Sequence, residues 1–389
     1  MEQAFAHDIV NYLHDCLPDM VALVQQLAAI ETPSTVPESH RPLFTRLSEV
    51  FARFAYTAHH IPGQQSGGQM FAQPQHRARR QPVQLILGHS DTVWPLGTLK
   101  EMPLEVGEGT IRGPGVYDMK GGLVQMLYAL QALQVLQLEP SVTPIVFINS
   151  DEEIGSKEST SHIRRLARIA DRALVLEPSL GLEGKLKIAR KGVGSFTVVA
   201  KGKAAHAGLN PGSGASAILE LSFVIQKLFA LNDAKRGITV NVGMIDGGLR
   251  PNVVAPESRA HADVRVQTRE DGQRIEESIY ALQPTTPGVT LEITGRIRRQ
   301  PMERTPPNLA LLQIAKEVGQ SIALDVDAGA AGGASDGNTT SLFTATLDGL
   351  GAVGDGAHAH HEFIYFDKLV ERSALLALLL MAPPVRSAS

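Results

Sequence analysis

The chain has 389 residues, which is longer than most chains that fold around a single hydrophobic core. We therefore predict two domains. Its formal net charge of -4 excludes a strongly basic surface for nucleic acid, and its single cysteine, Cys16, excludes an internal disulfide and a multi-cysteine zinc site. The longest apolar run, 374–382, is too short to cross a bilayer, and the first residues lack the basic start and apolar core of a signal peptide. We therefore expect a cytoplasmic protein that binds neither nucleic acid nor membrane.

The first half of the chain alternates predicted helices and strands. Residues 8–30 have apolar side chains at helical spacing, and the stretch 61–82, rich in Gln, Gly and Arg, is typical of a solvated loop. Predicted strands follow at 83–87, 144–148 and 173–176, with a helix after the segment GPGVYDMKGG between the first two. Strands that alternate with helices predict an α/β fold, a largely parallel sheet flanked by helices on both faces.

The pattern changes near residue 191. From there to residue 301 the predicted order is β-α-β-β-α-β, which is a compact ferredoxin-like unit. The alternation of helices and strands then returns and ends with a helix over 368–380. We therefore predict a discontinuous α/β domain, residues 1–190 and 302–389, with a second domain, 191–301, inserted in its middle.

Acidic residues and histidines follow the predicted strands at the point where each strand ends. His89 and Asp91 follow the first strand, Glu152 and Glu153 the second, and Glu177 the third. Ligands of open parallel sheets bind beyond the carboxyl ends of the strands, so this fold would bring these side chains together. In the His-x-Asp pair, the aspartate can accept the second ring N–H of the histidine or hold it indirectly, which orients the ring for metal binding.

Two more segments carry candidate ligands. Asp118 lies in the glycine-rich segment GPGVYDMKGG, and GAHAHHEF near the C-terminus offers His358, His360 and His361. Imidazole nitrogens and carboxylate oxygens without cysteine suit zinc in an open catalytic site. Two histidines and three carboxylates would suit a pair of metal ions about 3.5–4 Å apart, bridged by one carboxylate and a water, and would leave a further carboxylate to act as a base. Two divalent cations would also offset the charge of the acidic run DEE.

Six motifs occur in one order along the chain: GHSDTV, GPGVYDMKGG, NSDEEIGS, EPS, GKAAHAG and GGLRPNVVAP. With them the chain, from about residue 20 to its C-terminus, strongly resembles the co-catalytic zinc carboxypeptidase and aminoacylase family. That family includes acetylornithine deacetylase, succinyl-diaminopimelate desuccinylase and glutamate carboxypeptidase, and the spacing resembles the last of these best. The resemblance implies two Zn²⁺ ions per subunit, which Co²⁺ or Mn²⁺ can replace. It also implies that the α/β domain is catalytic and that the inserted domain serves as a lid and for dimerisation.

The resemblance also implies roles for individual residues. It assigns His89 and Glu177 to one zinc ion, Glu153 and His358 to the other, and Asp118 to the bridge between them. The peptide bond after the bridging aspartate is expected to be cis. His360 and His361 stay open as alternatives to the C-terminal histidine ligand.

Three further functions follow from the same resemblance. Glu152 would be the general base, Asp91 the partner of the histidine ligand, and His206 in GKAAHAG the donor to the oxyanion, often across a dimer. Six residues would contact the substrate, in particular a carboxylate group: Lys185, Asn252, Arg265, Arg299, Gly332 and Gly333. Because the family commonly pairs through the inserted domain, we expect a homodimer.

These observations predict a zinc-dependent hydrolase, a metallocarboxypeptidase. It would cleave an amide bond in a small molecule or peptide and release an amino acid with a free α-carboxylate, as glutamate carboxypeptidase does. An N-acyl-amino-acid deacylase or a dipeptidase of the same family is the alternative. A two-metal phosphoesterase fits less well because it leaves the inserted domain with its histidine and arginines unexplained. A binding protein that kept the fold would be expected to lack the base or a ligand, and the sequence has both.

Overall fold

The computed structural model describes residues 3–77 and 81–385, and the chain divides into two compact units. The larger unit combines the described parts of 1–188, 304–331 and 335–389, and the smaller unit combines 189–303 with 332–334. The catalytic role predicted for the discontinuous domain, and the lid and dimerisation roles predicted for the inserted domain, stay predictions.

The α-helices of the described ranges are α1 (Gln3–Asp15), α2 (Leu17–Ala28), α3 (His40–Arg53), α4 (Gly121–Val135), α5 (Thr160–Ile169), α6 (Ala217–Phe229), α7 (Arg269–Tyr280), α8 (Pro306–Gln320), α9 (Gly337–Thr340) and α10 (Lys368–Met381). The strands of the same ranges are β1 (Tyr56–Ile61), β2 (Gln69–Pro74), β3 (Val83–His89), β4 (Glu105–Gly107), β5 (Thr110–Arg112), β6 (Thr143–Asn149), β7 (Ala170–Val175), β8 (Leu186–Arg190), β9 (Gly192–Lys201), β10 (Thr239–Gly247), β11 (Glu257–Val266), β12 (Thr290–Arg299), β13 (Ala328–Ala331), β14 (Ala345–Leu347), β15 (Gly354–Asp355) and β16 (Phe363–Tyr365).

The larger unit is built on a six-stranded sheet in the order β1-β2-β6-β3-β7-β14. β3 pairs in parallel with β6 and β7, and β7 pairs in parallel with β14, whereas β1 and β2 run antiparallel at one edge. Every residue of β3 and β6 is buried, as expected for strands covered on both faces. Helices α4 and α10 contribute to the core on one face, and α5 packs on the other. The predicted largely parallel sheet with flanking helices is confirmed.

The register of this sheet aligns the ends of three strands. His89, the last residue of β3, lies opposite Asn149, the last residue of β6. Leu87 of β3 lies opposite Val175, the last residue of β7. The segments that follow the three strands carry most of the predicted ligands, and they therefore start side by side at one edge of the sheet.

Two local predictions differ from the structure. The helix expected over 8–30 is two helices, and the second begins at Leu17 with Pro18 in its first turn, where a proline ring is tolerated but cannot continue a preceding helix. The stretch 61–82, interpreted as a solvated loop, contains β2, so this part of the prediction was wrong. Met70 and Ala72 of β2 are fully buried, and pairing with β6 outweighs the polar composition around them.

The smaller unit contains an antiparallel sheet in the order β10-β11-β9-β12. Its elements follow one another as β9-α6-β10-β11-α7-β12, the predicted β-α-β-β-α-β order. Alternate residues of β9 and β11, such as Phe196 and Val264, pack with apolar side chains of α6 and α7. The other residues of these strands, such as Val193 and Thr197, are half-buried on the opposite face, which we call the open face.

Within 3–77 and 81–385, no helix combines the length and the apolar character needed to cross a bilayer.

Candidate metal centre

His89 is buried at the end of β3 with both ring nitrogens engaged. Its Nδ1 donates to the backbone oxygen of Asp91 at 3.0 Å. Its Nε2 lies 3.2 Å from Oδ1 of Asp118 and 3.5 Å from Oε1 of Glu177. A donor bond at Nδ1 leaves Nε2 as the nitrogen directed at the two carboxylates, and in the neutral ring Nε2 would carry the lone pair that binds a metal ion.

Asp118 lies in the loop between β5 and α4 and faces two imidazole rings. Its Oδ1 is 3.2 Å from Nε2 of His89, and its Oδ2 is 3.5 Å from Nε2 of His358. The loop turns at Gly115, whose φ of 75° is left-handed and where a Cβ would come within 2.7 Å of the Thr92 side chain. The peptide bond after Asp118 is cis, as the resemblance predicted. The carboxylate thus spans both imidazoles, which is the position of a bridging ligand.

His358 lies between β15 and β16 and faces the same carboxylates. Its Nε2 is 3.1 Å from Glu153. The ring of His360 instead packs against Trp94, with ring centroids 5.4 Å apart, and His361 is exposed. Of the three C-terminal histidines, His358 is the one whose ring nitrogen meets the acidic side chains.

The contacts divide the predicted ligands into two halves that share Asp118. His89 lies with Glu177, and His358 lies with Glu153. Ligand atoms of His89, Glu152 and Glu177 all lie within 4.8 Å of one another, and so do those of His89, Asp118 and Glu153. Glu152 is therefore beside the first half of the centre.

Asp91 is fully buried and supports the acidic segment that follows β6. Its carboxylate accepts hydrogen bonds from the backbone N–H of Glu152 at 3.2 Å, from that of Glu153 at 3.0 Å and from the Ser34 hydroxyl at 2.7 Å. One carboxylate oxygen also lies 3.4 Å from Nδ1 of His89, although the nearer acceptor of that nitrogen is the backbone oxygen of Asp91. Asp91 thus joins the end of β3 to the end of β6. Ser34 was not among the predicted site residues, because no local pattern marks it.

Glu362 was also missed from the sequence, although it directly follows the histidines of GAHAHHEF. Its side chain is 1% exposed and accepts hydrogen bonds from Trp94 Nε1 at 2.9 Å and from three backbone N–H groups of the loop around Asp118. Burial raises the pKa of Glu362 to about 7, whereas the bonds from the loop favour its ionised form. The available signal was its place directly before the apolar strand β16, where a charged residue needs partners if it points inward.

The imidazoles and carboxylates of the centre stabilise one another's charged forms. The hydrogen bonds to Asp118 and Glu153 raise the pKa of His358 to about 10. Burial by itself lowers the pKa of His89, but its hydrogen bonds to the surrounding carboxylates hold this pKa well above its usual value. Burial likewise opposes ionisation of Asp118, yet the two histidines keep the pKa of this carboxyl well below its usual range. The cluster is therefore a strongly negative site that requires positive charge.

The donor set fits divalent metal ions. Two imidazole nitrogens and several carboxylate oxygens converge, and the single cysteine, Cys16, lies on the N-terminal side of α2 and is not part of the cluster. Histidine and carboxylate ligands suit zinc and related ions in catalytic sites. A pair of such ions would supply the positive charge that the histidine protons otherwise provide.

The smaller unit brings His206 and Asn252 together. Nδ1 of His206 accepts hydrogen bonds from the backbone N–H groups of Gly208 and Leu209, both at 3.1 Å. Nδ1 is then unprotonated, so the neutral ring carries its proton on Nε2. The next residue, Ala207, donates its N–H to the backbone oxygen of Asn252 at 3.0 Å.

Two predicted substrate-binding arginines lie in one row of the same unit. Arg265 of β11 and Arg299 of β12 are both opposite Val193 of β9, so the register places them on either side of it on the open face. Arg265 also forms an ion pair with Asp263 at 2.8 Å. The row is a product of sheet pairing, since the two arginines are far apart in the chain.

The other three residues predicted to contact substrate lie outside the row of Arg265 and Arg299. Gly332 and Gly333 belong to the smaller unit, where the backbone oxygen of Gly333 accepts a hydrogen bond from Arg190 at 3.2 Å. Lys185 belongs to the larger unit and lies 3.4 Å from Asp327, with its side chain 40% exposed.

Comparison with known proteins identifies the family. The model of peptidase family M20/M25/M40 matches residues 85–382, a span that contains all of the metal-centre residues described above except Ser34. The chain belongs to this family. The family is one of hydrolytic metallopeptidases, and the recognition of its motifs from the sequence is confirmed.

Individual relatives agree with this assignment. Carboxypeptidase G2 of Pseudomonas sp. (strain RS-16) is 32% identical over 187 residues, which cover 48% of this chain and 45% of that protein. The chain thus matches about half the length of its curated relatives. Among solved structures, the aminopeptidase PepT of Bacillus cereus has a TM-score of 0.79 at 18% identity, over 94% of this chain and 98% of that one. The YXEP protein of Bacillus subtilis, described as a dinuclear metal-binding peptidase of family M20, has a TM-score of 0.70 at 14% identity, over 95% and 98% of the two chains. The structural matches show a shared fold.

The metal content of variants tests which C-terminal histidine is a ligand. We expect the purified chain to hold about two divalent ions, His358→Ala about one, and His360→Ala the same number as the unchanged chain, because the ring of His358 faces Glu153 and Asp118 while that of His360 faces Trp94. Elemental analysis after equilibrium dialysis gives the count. Loss of an ion in His360→Ala, or full occupancy in His358→Ala, would contradict the assignment.

Proposed function

We propose that this chain is a two-metal amide hydrolase that releases an amino acid with a free α-carboxylate, in the manner of a glutamate carboxypeptidase. One observation carries the proposal: the carboxylate of Asp118 lies between Nε2 of His89 and Nε2 of His358, with Glu177 and Glu153 on the two sides. A shared carboxylate between two His–Glu pairs is the arrangement expected of a co-catalytic metal pair.

The proposed ions are zinc, held by the five ligands in the two halves described above. The description of YXEP as dinuclear, in a protein of the same fold, supports two ions over one. When bound, such a pair lowers the pKa of a water and polarises a carbonyl oxygen. Cobalt or manganese would suit the same nitrogen and oxygen donors.

Glu152 is the proposed general base. It lies within 4.8 Å of ligand atoms of His89 and Glu177, so a water held beside these residues is within its reach. It would accept the proton of the attacking water and pass it to the leaving amine. The backbone N–H groups of Glu152 and Glu153 both donate to the Asp91 carboxylate, which orients base and ligand together.

His206 is the proposed donor to the oxyanion that forms as the amide carbonyl is attacked. Its Nδ1 accepts two backbone N–H bonds, so Nε2 carries the proton in the neutral ring, as a donor to an oxyanion requires. Its exposure leaves that N–H accessible. Asn252, fastened to the same turn, is the proposed neighbouring contact to substrate.

The open face of the smaller unit supports recognition of a carboxylate. Arg265 and Arg299 flank Val193, and a row of two guanidinium groups suits bidentate binding of an anionic group. Lys185, Gly332 and Gly333 are proposed as further substrate contacts on the resemblance alone. The name of carboxypeptidase G2, at 32% identity over half of the chain, favours a carboxypeptidase over a deacylase or dipeptidase.

The proposed assembly is a homodimer formed through the smaller unit. β10 is an edge strand of its sheet, and it exposes Met244 and Ile245 at 69% and 64%. The other edge, β12, carries charged side chains such as Glu292 and Arg296, which protect an edge from pairing. The apolar edge is therefore the one expected to pair with a second copy.

The first test concerns the base. Glu152→Gln should retain its metal ions but lose about 100-fold or more in kcat, because an amide cannot accept the proton. The assay follows release of the amino acid from N-acyl and α- or γ-linked glutamate amides, with metal content measured on the same sample. Glu139→Gln, an exposed glutamate after α4, serves as the control and should behave as the unchanged chain. A Glu152→Gln variant with full metal content and undiminished turnover would refute the assignment.

The second test concerns the carboxylate. Charge-assisted hydrogen bonds contribute roughly 1.5–3 kcal/mol, so Arg299→Ala should lower kcat/KM about tenfold to a hundredfold for a substrate with a free α-carboxylate. The loss should be much smaller for the matching α-amide, which carries no charge. Arg298→Ala is the matched control, since Arg298 is the exposed neighbour at the bulge in β12. Equal losses on acid and amide would mean that Arg299 has a structural role.

The third test concerns assembly. Ile245→Lys should convert the dimer to a monomer in sedimentation experiments, because it places a charge on the apolar edge, whereas Thr294→Lys on β12 should leave it dimeric. A second measurement locates His206. If it acts across the dimer, mixing inactive Glu152→Gln and His206→Ala chains restores about a quarter of the wild-type activity, since half of the dimers are mixed and each has one complete site. No recovery on verified subunit exchange would assign His206 to its own subunit.

A further inference from the structure

Glu362 is a buried carboxylate next to the metal centre, and both of its oxygens accept hydrogen bonds. Its Oε1 accepts the N–H groups of Tyr117 at 2.9 Å and Asp118 at 3.1 Å. Its Oε2 accepts the N–H of Gly115 at 3.0 Å and the indole N–H of Trp94 at 2.9 Å. All four partners are donors, so the site is shaped for an acceptor on both oxygens, which a carboxylate provides.

The backbone of Glu362 ties the same residue to the segment of His358. Its N–H donates to the oxygen of Ala359 at 3.0 Å, which closes the turn after His358. Its oxygen accepts the N–H of Gly113 at 3.2 Å, and β16, which starts at the next residue, pairs with β5. The side chain thus holds the loop of Asp118, and the main chain holds the turn of His358.

Both of these segments supply ligands to the centre. Asp118 must keep one oxygen toward each imidazole, and His358 must keep Nε2 within reach of Glu153. Both come from irregular segments rather than strand ends, so the sheet alone does not set the distance between them. Outer partners of metal ligands fix orientation in this way, and their loss typically weakens metal affinity about 10- to 100-fold.

We propose that Glu362 is a positioning residue for the metal pair, which fixes the bridging Asp118 and the terminal ligand His358 relative to each other. This inference rests on the proposed two-metal function. Glu362 does not touch the reacting atoms, and it acts through the two ligands.

If Glu362 had a purely structural role, its substitution would lower stability without changing metal affinity. Another buried glutamate of the chain allows a matched comparison. Glu220 is another fully buried carboxylate that accepts backbone N–H groups, those of Thr285 and Thr286. It lies in the smaller unit, and its partners are not adjacent to metal ligands. Glu220→Gln should therefore lower stability without changing metal affinity.

The experiment measures metal dissociation constants by competition with a chromophoric chelator, for the unchanged chain, Glu362→Gln and Glu220→Gln. The glutamine keeps the shape of the side chain but turns an NH₂ group toward two N–H donors, so we expect the dissociation constant of Glu362→Gln to rise about 10- to 100-fold. That of Glu220→Gln should stay within about twofold, while thermal unfolding of both metal-free variants shifts downward. At saturating metal, Glu362→Gln should recover much of its kcat with little change in KM, because the substrate contacts are intact.

Trp94→Phe provides a second variant that removes one donor and keeps the carboxylate. It should raise the metal dissociation constant by a smaller factor than Glu362→Gln does. If Glu362→Gln does not fold, the metal affinity of Trp94→Phe tests the positioning role instead. A metal affinity within about twofold of the unchanged chain in folded Glu362→Gln, or in Trp94→Phe if the first variant is insoluble, overturns the positioning role. An unchanged chain that binds no metal pair would instead overturn the proposed function, and with it this inference.

Discussion

The mutual repulsion of carboxylates at one edge of the central sheet is the constraint on which the rest of the site depends. Asp91, Asp118, Glu152, Glu153 and Glu177 converge where three strands end and one loop returns. Like charges at such distances, partly shielded from water, strongly disfavour full ionisation unless positive charge or N–H groups lie among them. The imidazoles of His89 and His358 and the backbone N–H groups that donate to Asp91 supply such compensation.

Asp91 shows how the compensation also defines geometry. Its carboxylate accepts hydrogen bonds from two backbone N–H groups and a hydroxyl, and the neighbouring His89 imidazole also favours its ionised form. Those N–H groups belong to Glu152 and Glu153, so one anion arranges the two others. The hydrogen bonds that make the charge tolerable are thus the ones that set the direction of the base and of a ligand. Stability of the fold and orientation of the site rest on the same contacts.

Much of this architecture could be predicted because its signals are local. The strands that end in His89 and Asn149 are predominantly apolar and are followed at once by polar residues, and the order of motifs then identified the ligands. Strand β2 was hidden, because three buried residues within a polar stretch become a strand only through pairing with β1 and β6. The row formed by Arg265 and Arg299 was equally hidden, since it arises from the register of three strands. Glu362 was not identified from the sequence, because its burial is a property of the tertiary structure.

The discontinuity of the larger unit has a consequence for the order in which the protein is completed on the ribosome. β14, residues 345–347, pairs with β7, residues 170–175, and α10 packs against α4, so the sheet and its helical cover need the last part of the chain. The smaller unit is almost continuous in sequence and has its own apolar core. It can therefore fold while the sheet of the larger unit is still incomplete. During that interval the nascent larger unit exposes the free edge of β7 and the apolar surface of α4, and it lacks His358. The sheet edge at β7 and the half of the centre that contains His358 can therefore be completed only after residues 345–381 have been synthesised.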